Sequence, residues 1–311
     1  MNKIKKIYNV ITVLVLTVVM ISCNCLTALA ADKNIKISLF NQLTTVKTTS
    51  SYSGSKDTPE GFCVNGTTAY STKIHNDGTT SIIKTINLTG KPSNIMPAKN
   101  LSLGHANDLT YYNGYIYAAG LNNKFYRIKD NGKDSKGLEK YSVKTYSVSG
   151  ASLSSSPSKY ASGSWNITHF TGKYFIFCSS INSSLKLTFR IGYFDDNTNK
   201  FVVTKTFYGK AKAFTTIQGI SYHNGYLYQT TSDNAGSGYM NKISEFNIGK
   251  TYKDVSNGKT YSLAYYGTFD DNKTKSKFEI ESLDFDSRGY LYVLMNVSGK
   301  NDPLYVSKTV L

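Results

Sequence analysis

The sequence predicts an all-β fold, specifically a five-bladed β-propeller with four-stranded antiparallel blades, and three observations predict it. One phrase recurs five times: small or polar residues, an apolar anchor, a short alternating run, a glycine turn, then an aromatic–apolar–aromatic triplet. Its copies begin at Glu60-Gly61-Phe62, Asn107-Asp108-Leu109, Trp165-Asn166-Ile167, Gln218-Gly219-Ile220 and Glu281-Ser282-Leu283. The anchors Phe62, Leu109, Ile167, Ile220 and Leu283 are 47 to 63 residues apart, and a degenerate repeat of this length built from hairpins marks a propeller. Second, Asn65-Gly66, Asn113-Gly114 and Asn224-Gly225 supply hairpin turns between alternating segments, because both central turn positions favour residues that tolerate positive φ. Third, the last repeat ends one strand short, and an alternating segment near the start of the chain is available to complete it.

Taken in order, the elements justify themselves. Residues 1–30 carry Lys3, Lys5 and Lys6, a short apolar run and the small-residue signal Ala28-Leu29-Ala30, and so read as a signal peptide cleaved near Ala30-Ala31. A membrane anchor and a lipoprotein at Cys23 are the competing readings. Residues 35–40 form the expected closing strand. In the second repeat, residues 109–111, 115–118, 124–129 and 141–148 give the four strands of one blade. Residues 303–310 give one more strand after the fifth hairpin. The triplets Tyr115-Ile116-Tyr117, Tyr226-Leu227-Tyr228 and Tyr290-Leu291-Tyr292 put bulk on both faces, as a blade packed between two neighbours requires. Residues 31–311 then make one propeller domain, with longer exposed linkers at 151–160 and 250–259.

Composition narrows the partners. The chain of 311 residues has a formal net charge of +16, carried mostly by scattered lysines, with Arg127, Arg190 and Arg288 its three arginines. This balance is either a compositional bias or an attraction to an anionic wall polymer or membrane surface. A nucleic-acid partner is excluded, because no basic stripe is present and arginine is scarce. Beyond residues 1–30 no stretch is apolar enough to span a bilayer. Of the four cysteines, Cys63 and Cys178 lie outside the leader in non-adjacent repeats, and both read as small buried apolar residues.

The candidate site is the set of polar residues just before each anchor: Glu60, Asn107, Asp108, Trp165, Asn166, Gln218 and Glu281, with His105 close by. Innermost strands of a propeller start around its channel, so these side chains are expected to meet at one mouth and bind a ligand there. The alternative is that they satisfy backbone groups and channel waters. Glu60, Asp108 and Glu281 fall on three consecutive blades and could act as acid and base in an enzyme, hold a cation, or accept hydrogen bonds from sugar hydroxyls. Trp165 is either a sugar-stacking surface or a core residue. Loops at 120–123, 179–184, 232–234 and 296–302 are rich in Asn, Ser and Asp, which form turns and can also hydrogen-bond a glycan. The segments Asp195-Asp196-Asn197 and Asp270-Asp271-Asn272 match calcium loops in composition only and fit connecting turns equally well. No cofactor motif and no metal-ligand motif is present. A structural cation in the channel is the one inorganic partner the carboxylates allow. His75, His105, His169 and His223 are scattered, and the last two fall in matching hairpin positions expected to be exposed.

Ile217-Gln218-Gly219 leading into Asn224-Gly225-Tyr226-Leu227-Tyr228, Glu279-Ile280-Glu281-Ser282 and Leu103-Gly104-His105 together resemble the helveticin J family of exported proteins from Gram-positive bacteria. That resemblance covers about a third of the chain and implies bacteriocin-like action on a bacterial envelope; it brings no catalytic residues. Gln218-Gly219 and Glu60-Gly61 also resemble the inner strands of five-bladed glutaminyl cyclotransferases, although Trp165 is followed by Asn166 where that family has glycine. The expectation is therefore a secreted recognition protein that binds a cell-envelope glycan or anionic wall polymer at the channel mouth. The alternative is a propeller enzyme, a glycoside hydrolase or a glutaminyl-cyclase-like protein.

Overall fold

The computed structural model describes residues 40–46, 58–120, 123–149, 165–211, 216–232, 240–249, 255, 257–264, 278–297 and 302–310. The expected signal peptide, residues 35–39 of the expected closing strand, most of both linkers and Asp270-Asp271-Asn272 lie outside the described residues. Among the described residues every regular element is a β-strand.

The chain opens with β1 (Phe40–Val46). A first meander follows: β2 (Thr58–Asn65), β3 (Thr68–Ile74), β4 (Thr80–Ile86) and the short β5 (Ser93–Ile95). A second comprises β6 (Asp108–Tyr112), β7 (Tyr115–Ala119), β8 (Lys124–Lys133) and β9 (Glu139–Ser149). A third comprises β10 (Asn166–Thr171), β11 (Tyr174–Ile181), β12 (Lys186–Asp195) and β13 (Lys200–Lys210). The fourth is β14 (Thr216–His223), β15 (Tyr226–Ser232), β16 (Met240–Asn247) and β17 (Asn257–Ala264). The last is β18 (Phe278–Phe285), β19 (Leu291–Val297) and β20 (Asp302–Ser307). Within each meander successive strands pair antiparallel.

The hairpins follow local chemistry. Asn113 (φ 49°) and Gly114 (φ 84°) both sit in the left-handed region, as do Asn224 (φ 48°) and Gly225 (φ 86°), which is the primed turn that matches strand twist. Asn65 does not share this geometry. It ends β2 opposite Thr68, and Gly66 alone carries the positive φ (59°) as first central residue of the turn.

Packing explains the triplets. Ile116 faces a cluster with Cys63, Tyr70 and Leu109, while its neighbour Tyr117 faces one with Phe125, Ile167, Phe175 and Phe177. Leu227 and Tyr228 divide in the same way, as do Leu291 and Tyr292. Each fully buried ring or aliphatic side chain contributes about 1.5–3 kcal/mol, so every meander is held by apolar clusters on both faces. Cys63 and Cys178 are buried in two different clusters and form no disulfide with each other. His169 and His223 are not free exposed rings as expected. They stack on Tyr112 (3.7 Å between centroids) and Phe285 (4.6 Å).

First strands contact one another in a cycle: β2 against β6, β6 against β10, β10 against β14, β14 against β18, and β18 against β2. The N-terminal strand β1 pairs antiparallel with β20, from Phe40 opposite Ser307 to Val46 opposite Asp302, so one sheet contains both ends of the described chain. Among the described residues closure falls at Phe40–Val46, which shares Phe40 with the expected segment 35–40 and runs on beyond it. A register shift between Gln42 and Thr44 brings Leu43 and Val46 to the same apolar cluster, an i, i+3 pattern that hides the strand from a period-two search.

One feature departs from separate four-stranded sheets. Strands β9 and β13 pair in parallel, Lys200 to Val202 against Ser147 to Ser149, and fuse two meanders into an eight-stranded sheet. Both are outer strands of 11 residues, long enough to meet beyond their own meanders. Asp196, in the turn between β12 and β13, draws them together by accepting from both Arg127 Nη1 and Nη2 (2.9 Å each), Lys144 Nζ (2.6 Å) and Tyr146 Oη (2.7 Å). These partners hold the Asp196 carboxyl well below the usual carboxylate range. The pairing covers two open edges. Asp195-Asp196-Asn197 is accordingly a connecting turn.

Candidate functional site

The residues before the anchors divide into two sets, and backbone geometry makes the division. Ladder register shifts between Pro59 and Phe62, between Ile217 and Ile220, and between Ile280 and Ser282. Each is a bulge, which takes a side chain out of strict alternation and re-aims it. Glu60-Gly61, Gln218-Gly219 and Glu281 occupy these three bulges. The glycines are required by close approach: a Cβ on Gly61 would stand 2.6 Å from the Ala106 carbonyl oxygen, and one on Gly219 would stand 2.6 Å from Ser282 Cα. Thr72 accepts from the Gly61 amide (2.7 Å) and reaches the Ala106 carbonyl (3.0 Å), and Thr230 donates to the Gly219 carbonyl (3.2 Å).

The bulged side chains join one buried polar network. Asn107 Nδ2 donates to Gln218 Oε1 (3.3 Å), and Gln218 Nε2 donates to Glu279 Oε1 (2.6 Å), which also accepts from Ser232 Oγ (2.7 Å). Glu60 Oε1 lies 3.4 Å from Nδ1 of the half-exposed His105. Burial pushes the Glu60 carboxyl up, opposed by His105 and reinforced by Glu279, while Glu60 in turn raises the His105 imidazole. Glu281 is fully enclosed; burial raises it well above the usual range, with the charges of Glu279 and Glu60 acting in the same sense and Asn296 opposing them. The adjoining Asp302 pairs with the buried Lys73 at 2.6 Å. This network spans the first, second, fourth and last meanders. Neutral and ionised carboxyls with two amides can donate to and accept from hydroxyl groups within one small volume.

Asp108 and Asn166 lie apart from this network. Asp108 is completely buried. Its Oδ2 accepts from the amides of Ile167 (3.2 Å) and Ile220 (2.9 Å), and its Oδ1 accepts from Ser282 Oγ (2.6 Å). It therefore clamps β6 to β10, β14 and β18, and burial holds its carboxyl well above the ordinary range. Asp284 repeats the device: it accepts from the Val64 amide (2.9 Å) and Ser221 Oγ (2.8 Å), and burial pushes it up to about 6. Asn166 Oδ1 accepts from Gln229 Nε2 (3.4 Å) in the interior. Trp165 is not a stacking surface. It is 7% exposed and packs between Phe125 and Phe177, each at 5.3 Å, because β10 has no bulge before its anchor to turn the indole out of the core.

Glu279, Asp284 and the Lys73–Asp302 pair are absent from the sequence-derived set. Glu279 lies two residues before Glu281, and only the bulge between Ile280 and Ser282 signals that both belong to one network. Among the described residues no three His, Cys, Asp or Glu side chains are placed to share a metal ion, so the channel-cation expectation gains no support.

No family model and no curated protein matches the chain. Solved structures do. Glutaminyl cyclase from Myxococcus xanthus aligns over 89% of this chain and 97% of its own, with 10% identity and a TM-score of 0.51. A GH43 endo-arabinanase from Bacillus licheniformis aligns over 81% and 93% (13% identity, TM-score 0.43), and the WD40 β-propeller domain of Doa1 over 87% and 97% (12% identity, TM-score 0.39). The chain has a β-propeller-like all-β fold. The helveticin J resemblance has no counterpart among these comparisons.

Proposed function

We propose that the chain is a five-bladed propeller, each meander one blade, and that its hub binds a hydroxyl-rich ligand, a glycan of a cell envelope. The cyclic contact of the five first strands, with β1 completing the last sheet, supports the blade count. One observation carries the site: three bulges bring Glu60, Gln218 and Glu281 around Glu279, which accepts from Gln218, itself bonded to Asn107, and whose charge acts on both other carboxyls. Bulges cost ladder hydrogen bonds, and their recurrence at one position of the repeat fits a functional rim better than a structural accident. The acidic character of this network suits a neutral polyol rather than an anion. On this reading the protein is an exported recognition module, and the helveticin J resemblance extends it to bacteriocin-like action.

A catalytic reading has its own observation. Glu60 and Glu281 are both raised by burial and by a shared neighbour, Glu279, so that a proton-holding acid stands beside other carboxyls, as acid–base hydrolysis requires. Sedimentation of the protein with purified bacterial cell walls, followed by assay of released sugars, separates the two. Binding without release supports recognition, and release abolished by Glu281→Gln supports catalysis. Failure to bind walls at low salt, with no release, contradicts both.

A further inference from the structure

A second site lies far from the hub, on the outer strands of the third meander. All three arginines are described, and they differ. Arg127 is bidentate to Asp196, and Arg288 pairs with Asp286. Arg190 has no carboxylate partner among the described residues. Its Nη1 donates to Ser179 Oγ, its guanidinium lies 5.8 Å from the Phe177 ring centroid, and its buried Nε has no partner. The side chain as a whole is only partly buried, so a guanidinium with no acid beside it leaves its charge available to an anionic acceptor at the surface.

The same sheet face supplies the rest. Lys186, Thr188 and Arg190 alternate along β12 on one side, opposite Lys210, Tyr208 and Thr206 of β13. Lys186 and Lys210 are therefore direct cross-strand partners of like charge, which concentrates positive charge at this edge of the sheet. Tyr208, at 36% one of the most exposed large apolar side chains, carries Lys186 Nζ 3.6 Å from its ring centroid. Ser184, Lys186, Tyr208, Gly209, Lys210 and Val255 line an open pocket of ≈ 320 Å³ at this edge.

The geometry points to a binding site for a polyanion, a chain of phosphodiester-linked polyol or sugar units. The lysine row and Arg190 are four residues apart on one strand, about 13 Å at ~3.3 Å per residue, a span that a repeating charge can match and a single small ion cannot. Tyr208 stands between them as a surface for the uncharged part of each unit. This assignment separates two roles that the sequence merges at the channel mouth: the acidic hub takes hydroxyls, and the basic outer face takes the anionic polymer.

Calorimetric titration of the full chain with a glycerol phosphate oligomer tests the proposal, with neutral dextran and polyglutamate as comparison probes. The expected result is binding of the glycerol phosphate oligomer that weakens as salt rises and is about tenfold weaker in the Lys186→Gln/Lys210→Gln variant. Arg190→Lys keeps the charge but loses the fork, and weakens binding severalfold. Lys129→Gln/Lys133→Gln removes the same net charge from β8 and leaves affinity within about twofold. Equal loss in the Lys129/Lys133 variant, no loss in the Lys186/Lys210 variant, or equal affinity for polyglutamate or dextran would overturn the assignment.

Discussion

Replacement of Asp108 is the sharpest test of how the hub is held together. In Asp108→Ala, the amides of Ile167 and Ile220 lose their common acceptor inside the core, while Ser282 can turn to the Phe62 carbonyl 3.3 Å away. Each stranded buried amide costs about 1–3 kcal/mol, so the variant is expected to lose about 4 kcal/mol. For a chain of this size that lowers the thermal midpoint by about 10 °C. Asp108→Asn keeps an oxygen where Oδ2 accepts both amides, and its new amide can donate to Ser282 Oγ, which then donates to Phe62; the expected cost is within about 1 kcal/mol. The burial that raises the Asp108 carboxyl also makes its ionised form expensive, which the neutral amide avoids. Urea and thermal unfolding followed by circular dichroism give both numbers. If the alanine variant proved as stable as the parent, or the asparagine variant as unstable as the alanine one, the clamp would be refuted.

Asp284 predicts a pH dependence. Its folded value of about 6 against an ordinary 3.8 means that its stabilising share is complete in acid and is lost as pH rises from about 4 through about 6, roughly 3 kcal/mol in all; Asp284→Asn should flatten that part of the urea-midpoint profile. Gly61→Ala forces a Cβ to 2.6 Å from a backbone oxygen and should cost about 1–3 kcal/mol in denaturant unfolding, whereas alanine at Gly114, where nothing lies within 4 Å, costs only the strain of φ 84°. Trp165 should emit as a buried indole that wall fragments do not quench, and Trp165→Phe should leave wall binding unchanged while Trp165→Ala unfolds about 3–5 kcal/mol more easily. Val46→Asp places a carboxylate in the cluster shared by β1, β2 and β20, and should lower the unfolding midpoint more than Asn41→Asp on the exposed part of the same strand.

Much of the fold is legible because the physics is local. Asn113-Gly114 and Asn224-Gly225 encode their turns in two residues, and the triplets around Ile116, Leu227 and Leu291 encode two buried faces in three. What escapes the sequence depends on irregularity or distance. Bulges decide whether Glu60, Gln218 and Glu281 leave the ladder and whether Trp165 stays in the core; Gly61 and Gly219 hint at two of them, but no residue announces the one at Glu281. The register shift near Leu43 conceals the closing strand. The parallel pairing of β9 with β13 depends on Asp196 meeting Arg127, 69 residues away. Asp108 stands one residue before its anchor and Glu281 two before its own; the first is committed to backbone amides and the second lies beside Glu60 and Glu279.

The most direct measurement is a crystal structure of the protein soaked with oligosaccharides released from bacterial walls. Sugar density hydrogen-bonded to Gln218 and to the carboxyls of Glu60 or Glu281, and lost in crystals of Glu60→Gln/Glu281→Gln, is the expected outcome. Well-diffracting soaked crystals with the hub network unchanged, and sugar bound only elsewhere or nowhere, would contradict the account.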